Sequence, residues 1–307
     1  MSQKPTKVHE IFHPPSIPPI PSTSLRTGEE GKAPPPPVGE GLGEGCFRIN
    51  TLGGWCVHRY DRVGSTNDIA RSLPPWHAVR ADSQTSGRGR QGRLWISDYG
   101  GLWLSMVVPV EGARHRWKAL PLAAGWAILD VIKGLGVQEA RLRWPNDIMV
   151  NDRKLAGILV EQFHDNLAVV GVGINVFNRP DLINRDLAQK ITRLSDHINP
   201  APSLDELTGM ILKNLENIHR QMKTDGFSAL LNIINTSWST PRRVALEFDR
   251  ETQEGLFLGV DDQGDLLIEN DSGYKYTYSP HRVKLFREVY TQEFQIITSS
   301  SSPCPPH

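Results

Sequence analysis

Three apolar runs in the middle of the chain constrain the fold most strongly. They cover residues 148–150, 155–162 and 168–176, and an Asn-Asp pair separates the first two. Short apolar runs bounded by turn residues are typical of strands joined by tight turns. We therefore predict an antiparallel meander here, so that the fold must be built on a sheet.

Helical patterns lie on both sides of this meander. Residues 117–135 carry apolar side chains at helical spacing, and Ser203 to Glu206 is a capping box before a second helical pattern. Residues 65–68 offer a capping sequence for a short third helix, and residues 55–60 and 102–110 are further strand candidates. These patterns predict that helices accompany the sheet.

The end of the chain has a different pattern. Five short strand candidates follow Pro241 and are separated by turn residues; they cover residues 243–248, 255–260, 265–269, 274–278 and 283–286. Evenly spaced short strands are typical of small all-β barrels. We therefore predict a larger domain over residues 46–240 and a small β-barrel over residues 241–290.

Both termini have compositions that do not favour a packed core. Residues 1–45 are rich in proline and glycine, and residues 291–307 contain a serine run. Such segments bury too little apolar area to offset their ordering entropy, so we predict a disordered leader and a disordered tail. A proline-rich ligand for an SH3-type partner is the alternative for the leader. Recurring prolines exclude a helix-turn-helix there, and we expect no DNA-binding domain.

Charge and cysteine content limit the classes of partner. The chain has 34 basic and 34 acidic side chains, which argues against broad charge-driven binding to DNA or membrane surfaces. Its three cysteines form no CxxC pair, as expected in a reducing compartment. There is no secretory signal and no apolar run of the ~18 residues that a membrane span needs. We predict a soluble cytoplasmic protein.

Residues 84–95 alternate three arginines with three glycines and end in a tryptophan. Glycine lets the backbone approach a ligand closely, and arginine offers a planar fork to carboxylate or phosphate oxygens. A loop of this kind could close over two anions that must be pressed together and exclude water from their product. Two alternatives remain open, namely a solvated basic loop and an RGG-like segment that binds nucleic acid. The Gly-Lys-Ser/Thr ending of a P-loop is missing.

A second candidate region runs from Arg143 to Lys154. Lys154 lies just past a tight turn on a strand that otherwise has a buried pattern. A desolvated ammonium needs an anionic partner, for which a bound carboxylate or α-phosphate would serve. The alternative is that the stem packs and the ammonium reaches solvent. Asn146 and Asp147 are either turn residues or oxygen ligands to Mg²⁺.

Two further motifs are weaker. Gly171-Val-Gly-Ile-Asn175 places an asparagine at a strand end, and Ser65-Thr66-Asn67 either caps a helix or binds anionic or ureido oxygens. The ten histidines are scattered without an HExxH pattern. We therefore predict no metal cluster built on histidine.

These motifs together resemble, in the same order, those of the biotin–protein ligases, also called biotin–[acetyl-CoA carboxylase] ligases. The resemblance extends from about residue 55 to residue 287. Its matching text is Ser-Thr-Asn at 65–67, Gln-x-x-Gly-Arg-Gly-Arg-x-Gly-Arg-x-Trp at 84–95, Trp-Pro-Asn-Asp at 144–147, Lys-Leu-Ala-Gly-Ile-Leu at 154–159 and Gly-x-Gly-Ile-Asn at 171–175. Arg143 departs from the family, which often has lysine there.

The resemblance implies an α+β fold with a class II synthetase-like catalytic domain, in which helices flank a mixed, largely antiparallel sheet. It also implies an SH3-like domain behind the catalytic domain. It implies that ATP and Mg²⁺ activate biotin as biotinyl-5′-AMP, without a prosthetic group, and that biotin then passes to a lysine of a biotin carboxyl carrier domain. It also implies that an exposed strand edge pairs with the acceptor or with a second subunit in a homodimer. One rival is a lipoate or octanoate ligase of the same superfamily. A rival of another class is a nucleic-acid-binding module that uses residues 84–95, here called the arginine loop.

Site roles follow from the resemblance position by position. The biotin pocket would be lined by Ser65, Thr66, Asn67 and Gln84, with Gly157 and Asn175 close to the ligand. The loop over biotinyl-adenylate would contain Gly87, Arg88, Gly89 and Arg90. The nucleotide would be contacted by Arg93, Trp95 and Asn146, and Mg²⁺ by Asp147. The charges that offset the reacting anions would come from Lys154, Arg88 and Arg90.

Overall fold

The structure is a computed structural model that describes residues 48–112, 117–164, 166–187, 189–238 and 242–289. The predicted disordered segments, residues 1–45 and 291–307, lie outside the described residues.

The larger sheet has eight strands. They are β1 (Arg48–Leu52), β2 (Trp55–Val63), β3 (His77–Gln84), β4 (Leu102–Pro109), β5 (Ala140–Arg143), β6 (Asp147–Val150), β7 (Arg153–His164) and β8 (Leu167–Ile174). Their spatial order is β1-β2-β3-β4-β8-β7-β6-β5. Within the described strands, β2 and β3 pair in parallel and all other neighbours pair antiparallel. The predicted mixed, largely antiparallel sheet and its central meander are therefore confirmed.

Helices cover both faces of this sheet. They are α1 (Thr66–Ala70), α2 (Leu120–Gly134), α3 (Pro180–Ile183), α4 (Leu204–Asp225) and α5 (Ser228–Ser237). The buried side chains of α2 and α4 pack on one face with Leu104 and Met106 of β4, whereas α1 packs on the other face against Val107. This division follows from the alternation of side chains along a strand. Of the helices that the structure describes, none is both long and apolar enough to cross a bilayer.

A second sheet follows the larger one. Its strands are β9 (Arg242–Glu247), β10 (Thr252–Val260), β11 (Leu266–Glu269), β12 (Lys275–Tyr278) and β13 (Leu285–Glu288), in the order β12-β11-β10-β9-β13. The β-rich end of the chain is confirmed. Over residues 242–289, however, β12 and β13 do not pair with each other, so the sheet is open and not the closed barrel that the turn spacing suggested.

The second sheet is joined to the first by polar side chains. The Arg141 guanidinium donates to Glu288 at 2.7 and 2.5 Å, and the Trp144 indole donates to the Gly264 carbonyl at 3.2 Å. Trp238 at the end of α5 donates to the Leu142 carbonyl at 2.7 Å. These contacts bring the segment before β13 to the edge of the candidate site.

Candidate active site

A cavity of about 430 Å³ lies between the start of α1, the loop after β3, the strands β6 to β8 and the segment that leads into β13. With one exception, every side chain that the sequence assigned to the site lines this cavity. The exception is Gly87, where a Cβ would lie 2.4 Å from Ser97 Oγ and 2.5 Å from the Trp95 carbonyl oxygen. Glycine is therefore required at this position by the close packing of the loop.

Polar side chains at one end of the cavity are held by a hydrogen-bond chain. Gln84 Oε1 accepts from the Thr66 amide at 2.8 Å and from the Thr66 hydroxyl at 3.0 Å, and Gln84 Nε2 donates to Ser97 Oγ at 2.8 Å. The hydroxyl of Ser105, which is fully buried, donates to Asn67 Oδ1 at 2.6 Å and lies 2.7 Å from Thr66 Oγ1. This end can therefore offer oriented polar groups to a small polar ring.

Asn67 makes one further hydrogen bond at this end of the cavity, whereas the neighbouring Ser65 side chain makes no capping bond. Asn67 Nδ2 donates to Glu161 at 2.7 Å, which fixes the orientation of the amide. Ser65 begins α1 with an extended backbone, but its side chain makes no capping hydrogen bond. The capping interpretation of Ser65 is therefore not supported, and its buried hydroxyl lines the cavity.

The indole of Trp95 lies directly on the sheet. Gly157 of β7 and Gly173 of β8 are register partners, and a Cβ on them would lie 3.0 and 2.7 Å from Trp95 ring atoms. A Cβ on Gly171 would lie 2.2 Å from Asn67 Oδ1. The glycines of these two strands therefore make room for functional side chains, as close approach requires. The Trp95 Nε1 donor is buried without a hydrogen-bond partner in the described residues.

Lys154 has an anionic partner within the protein. Its ammonium lies 2.6 Å from Asp147 Oδ1 and 4.8 Å from the centroid of the Trp95 ring. Asp147 Oδ2 accepts from Arg143 at 2.7 Å. Burial alone would raise the pKa of Asp147, but the charges of Lys154 and Arg143 hold it below its ordinary value. The carboxylate is therefore ionised and neutralises two cations at the cavity wall.

Two asparagines at the site make hydrogen bonds within the protein. Asn146 Nδ2 donates to the Ile158 carbonyl at 2.6 Å, and the Asn146 carbonyl accepts from the Ile158 amide at 2.9 Å. Asn175 Oδ1 accepts from Asn178 at 3.0 Å. Asn146 therefore connects β6 to β7 in addition to lining the cavity.

The arginine loop is held at both sides. The Arg88 guanidinium donates to both oxygens of Asp68 on α1, at 2.8 and 2.5 Å. On the other side, three loop side chains donate to backbone carbonyls between β12 and β13. Arg90 donates to Pro280, Gln91 to Val283 at 3.2 Å, and Arg93 to Lys284 at 2.6 Å. The predicted loop is thus held by residues 280–284, here called the C-terminal segment, a contact that no sequence pattern indicated.

Several supporting residues were not identified from the sequence. Ser105 is a polar residue within a continuously apolar strand, and that exception is a signal for a buried hydrogen-bond role. Asp68 accepts a hydrogen bond from Arg88, which is 20 residues away in the chain, and Glu161 accepts one from Asn67, which is 94 residues away. Nothing in the local sequence indicates those partners.

The fold is similar to that of solved biotin protein ligases. The Aquifex aeolicus biotin protein ligase in complex with biotin and ATP matches with a TM-score of 0.68 and 24% identity, over 76% of this chain and 99% of that chain. The Helicobacter pylori biotin acetyl coenzyme A carboxylase synthetase with bound biotinylated ATP matches with a TM-score of 0.51 and 21% identity, over 72% of this chain and 98% of that chain.

Curated protein sequences are similar to this chain as well. The bifunctional ligase/repressor BirA of Escherichia coli is 32% identical over 244 residues, which cover 73% of this chain and 72% of that protein. The biotin–[acetyl-CoA-carboxylase] ligase of Mycobacterium tuberculosis is 33% identical over 195 residues, which cover 62% of this chain and 71% of that protein. The model of the biotin/lipoate A/B protein ligase family matches residues 63–176. The chain belongs to this family.

Proposed function

We propose that this chain activates biotin with ATP to biotinyl-5′-AMP and transfers the biotin to a lysine of a biotin carboxyl carrier domain. The observation that carries the proposal is the group of cations at one cavity wall, where Lys154 and Arg143 flank Asp147 beside Trp95. A polar pocket around Gln84 lies in the same cavity. One cavity therefore combines a place for a polar ring with charges that can hold two anions.

The first step brings two anions together. The biotin carboxylate oxygen attacks the α-phosphorus of ATP, a new O–P bond forms, and the bond to the β-phosphate breaks as pyrophosphate leaves. Lys154, Arg88 and Arg90 offset the negative charge that develops at the phosphorus. In the second step, the neutral amine of the acceptor lysine attacks the anhydride carbonyl and AMP leaves.

The arginine loop supports the proposal through its position. It lies between α1 and residues 280–284, and its arginines and glycines line the cavity. An adenylate is a hydrolysable anhydride, so a loop that excludes water protects it until the acceptor arrives. We assign to Arg93, Trp95 and Asn146 the contacts with the nucleotide.

Mg²⁺ enters this proposal with ATP as part of the substrate. The described surroundings of Asp147 fit a metal ligand poorly, since both carboxylate oxygens already bind cations. The assignment of Asp147 as a Mg²⁺ ligand stays a prediction that these surroundings do not support, and no step of the reaction is derived through it. A cytoplasmic location, the carrier domain as acceptor, a homodimer, and the absence of a prosthetic group and of DNA binding likewise stay predictions.

The polar end of the cavity favours biotin over the aliphatic acids that lipoate and octanoate ligases use. A ureido ring offers two N–H donors and one carbonyl acceptor, which suits the amide and hydroxyl groups of Asn67, Gln84 and Thr66. An octanoyl chain would offer these groups no additional hydrogen bonds. The Mycobacterium tuberculosis relative, named a biotin–[acetyl-CoA-carboxylase] ligase, also supports biotin over lipoate and octanoate.

Pyrophosphate release with MgATP tests the proposal directly. We expect release that depends on biotin, and then label transfer from radioactive biotin to a purified carrier domain. Release that depends only on lipoate or octanoate would assign the chain to the other branch of the family. Release with none of the three acids would contradict the proposed function.

A further inference from the structure

A cluster of one thiol and two imidazoles lies on the larger sheet, outside the cavity. Cys56 and His58 are two residues apart on β2 and therefore share a face of the sheet. β3 runs parallel to β2, and its first residue, His77, is the register partner of Cys56. Cys56 Sγ lies 3.7 Å from His58 Nε2, His58 Nε2 lies 2.9 Å from His77 Nδ1, and all three atoms lie within 4.8 Å of one another.

We propose that Cys56, His58 and His77 form a binding site for a borderline-soft divalent metal ion of the Zn²⁺ class, with water as the fourth ligand. One thiolate and two imidazoles are a donor set that such ions prefer. Tetrahedral bond lengths of ~2.3 Å to sulfur and ~2.0 Å to nitrogen place the ligand atoms about 3.3 to 3.6 Å apart. Two of the measured separations lie within about half an ångström of these values. The third separation, between Cys56 and His77, is at most 4.8 Å.

A thiolate and neutral imidazoles are the ligand forms that such an ion binds. The S–H bond of Cys56 breaks as the sulfur–metal bond forms, and the proton passes to solvent. Each imidazole binds through the lone pair of one ring nitrogen and keeps its N–H at the other.

The surroundings allow an ion to enter and give it a structural role. His58 is buried, whereas Cys56 and His77 are half-buried and leave one side of the cluster accessible. The segment between β2 and β3 contains α1, which carries Thr66 and Asn67 of the candidate active site. A metal that bridges β2 and β3 would therefore hold together the unit that positions these side chains.

The cluster is nevertheless remote from the reacting groups. His77 begins β3 and Gln84 of the cavity ends it seven residues later, which at about 3.3 Å per residue places their backbones roughly 23 Å apart. Loss of the metal site should therefore change stability and metal content without removing adenylate formation. This separation makes the test independent of the proposed function.

Cobalt is a suitable probe because a thiolate ligand gives Co²⁺ a charge-transfer absorption in the near ultraviolet. Untagged protein, freed of metal with a chelator, is titrated with Co²⁺ and then with Zn²⁺. We expect one equivalent of Co²⁺ to produce the band, Zn²⁺ to remove it, and Zn²⁺ to raise Tm. Cys56→Ser should abolish the band. His77→Gln should weaken Co²⁺ binding by at least about 100-fold, since even outer-shell partners cost roughly 10- to 100-fold.

Matched controls are available elsewhere in the chain. His281→Gln removes an exposed imidazole after β12, and Cys304→Ser removes a thiol that the proposed site does not use; both should leave the titration unchanged. No band at one equivalent in the wild type would overturn the proposal. A band that survives both Cys56→Ser and His77→Gln would equally overturn it. Pyrophosphate release and circular dichroism of each variant establish that it is folded, and two independent variants keep the test decisive if one fails.

Discussion

The ammonium of Lys154 lies 2.6 Å from the carboxylate of Asp147. The sequence predicted that a lysine entering an apolar sheet would need an anionic partner, and the structure supplies this partner from within the chain. Arg143 donates to the other oxygen of the same carboxylate. The cavity wall is thus a set of balanced charges, and anionic substrates would compete with Asp147 for its cations.

Removal of the Lys154 ammonium should impair adenylate formation severely. We expect Lys154→Ala to lose about 2–5 kcal/mol of transition-state stabilisation, because the variant loses one partner of a partly desolvated charge pair. This corresponds to roughly a 30- to several-thousand-fold loss of rate. Biotin-dependent pyrophosphate release measures the effect, and Lys213→Ala on the exposed face of α4 is the matched control. Release near the wild-type rate would remove Lys154 from the mechanism.

Asp147 should make the stability of the protein depend on pH. Its pKa is held below the ordinary value, so its contribution to the free energy of unfolding is present above the unfolded pKa of ~3.9 and is lost as pH falls through the folded pKa. We expect Asp147→Asn to have a lower Tm than the wild type at pH 7, and the gap to narrow below about pH 4. Thermal melts from pH 7 to pH 3 measure it. A gap that is constant with pH would contradict the ion-pair role.

The glycine pair beneath Trp95 should be intolerant of a methyl group. In Gly173→Ala the new Cβ would lie 2.7 Å from Trp95 Nε1, so the indole must move off the sheet. We expect a raised KM for ATP, because Trp95 is assigned to the nucleotide, and overpacking that costs about 1–3 kcal/mol of stability. Gly134→Ala is the control, since no atom lies within 4 Å of its Cβ position. An unchanged KM for ATP would argue against the assignment of Trp95.

The sequence predicted elements best where local signals and tertiary structure agree. Helix α4 has a capping box in its sequence, and in the structure Ser203 Oγ accepts from the Glu206 amide at 3.2 Å. Strand β3 was missed because it has no apolar alternation. Its Arg80 is only 5% exposed and forms an ion pair with Asp205, which is 125 residues away. Helix α5 was also missed.

The same limit applies to side-chain clusters. The motifs around Gln84, Trp95 and Lys154 could be identified from the sequence because each is a short segment of unusual composition. Cys56, His58 and His77 could not, since their proximity depends on the register of β2 against β3. The scattered histidines predicted no metal cluster, whereas the described fold brings two of them and a cysteine together.

Ser105 should matter more for biotin than for ATP. Ser105→Ala would leave Asn67 Oδ1 without its buried donor, which costs about 1–3 kcal/mol when a buried polar group is left unsatisfied. We expect weaker biotin binding by calorimetry, with little change in the KM for ATP. Ser72→Ala is a control, because its hydroxyl makes a local hydrogen bond to the Ile69 carbonyl on the same turn. Equal losses for both substrates would indicate general destabilisation.

The contact between the arginine loop and the C-terminal segment should control closure of the site. Arg90 donates to the Pro280 carbonyl, and its burial lowers its pKa while the charge of Asp147 acts in the opposite direction. Arg90→Ala would remove both a cation near the reacting anions and a tie to the second sheet. We expect it to lose adenylate formation over the same range as Lys154→Ala, about 2–5 kcal/mol.

Gln91→Ala separates these two contributions, because Gln91 donates to the Val283 carbonyl of the same segment but carries no charge. If only the hydrogen bonds to the C-terminal segment matter, both variants should release pyrophosphate slowly and lose protection of loop amides from hydrogen exchange. If the charge near Asp147 matters more, Arg90→Ala should be much the slower enzyme. Normal rates and normal protection in both variants would show that the loop does not need the C-terminal segment.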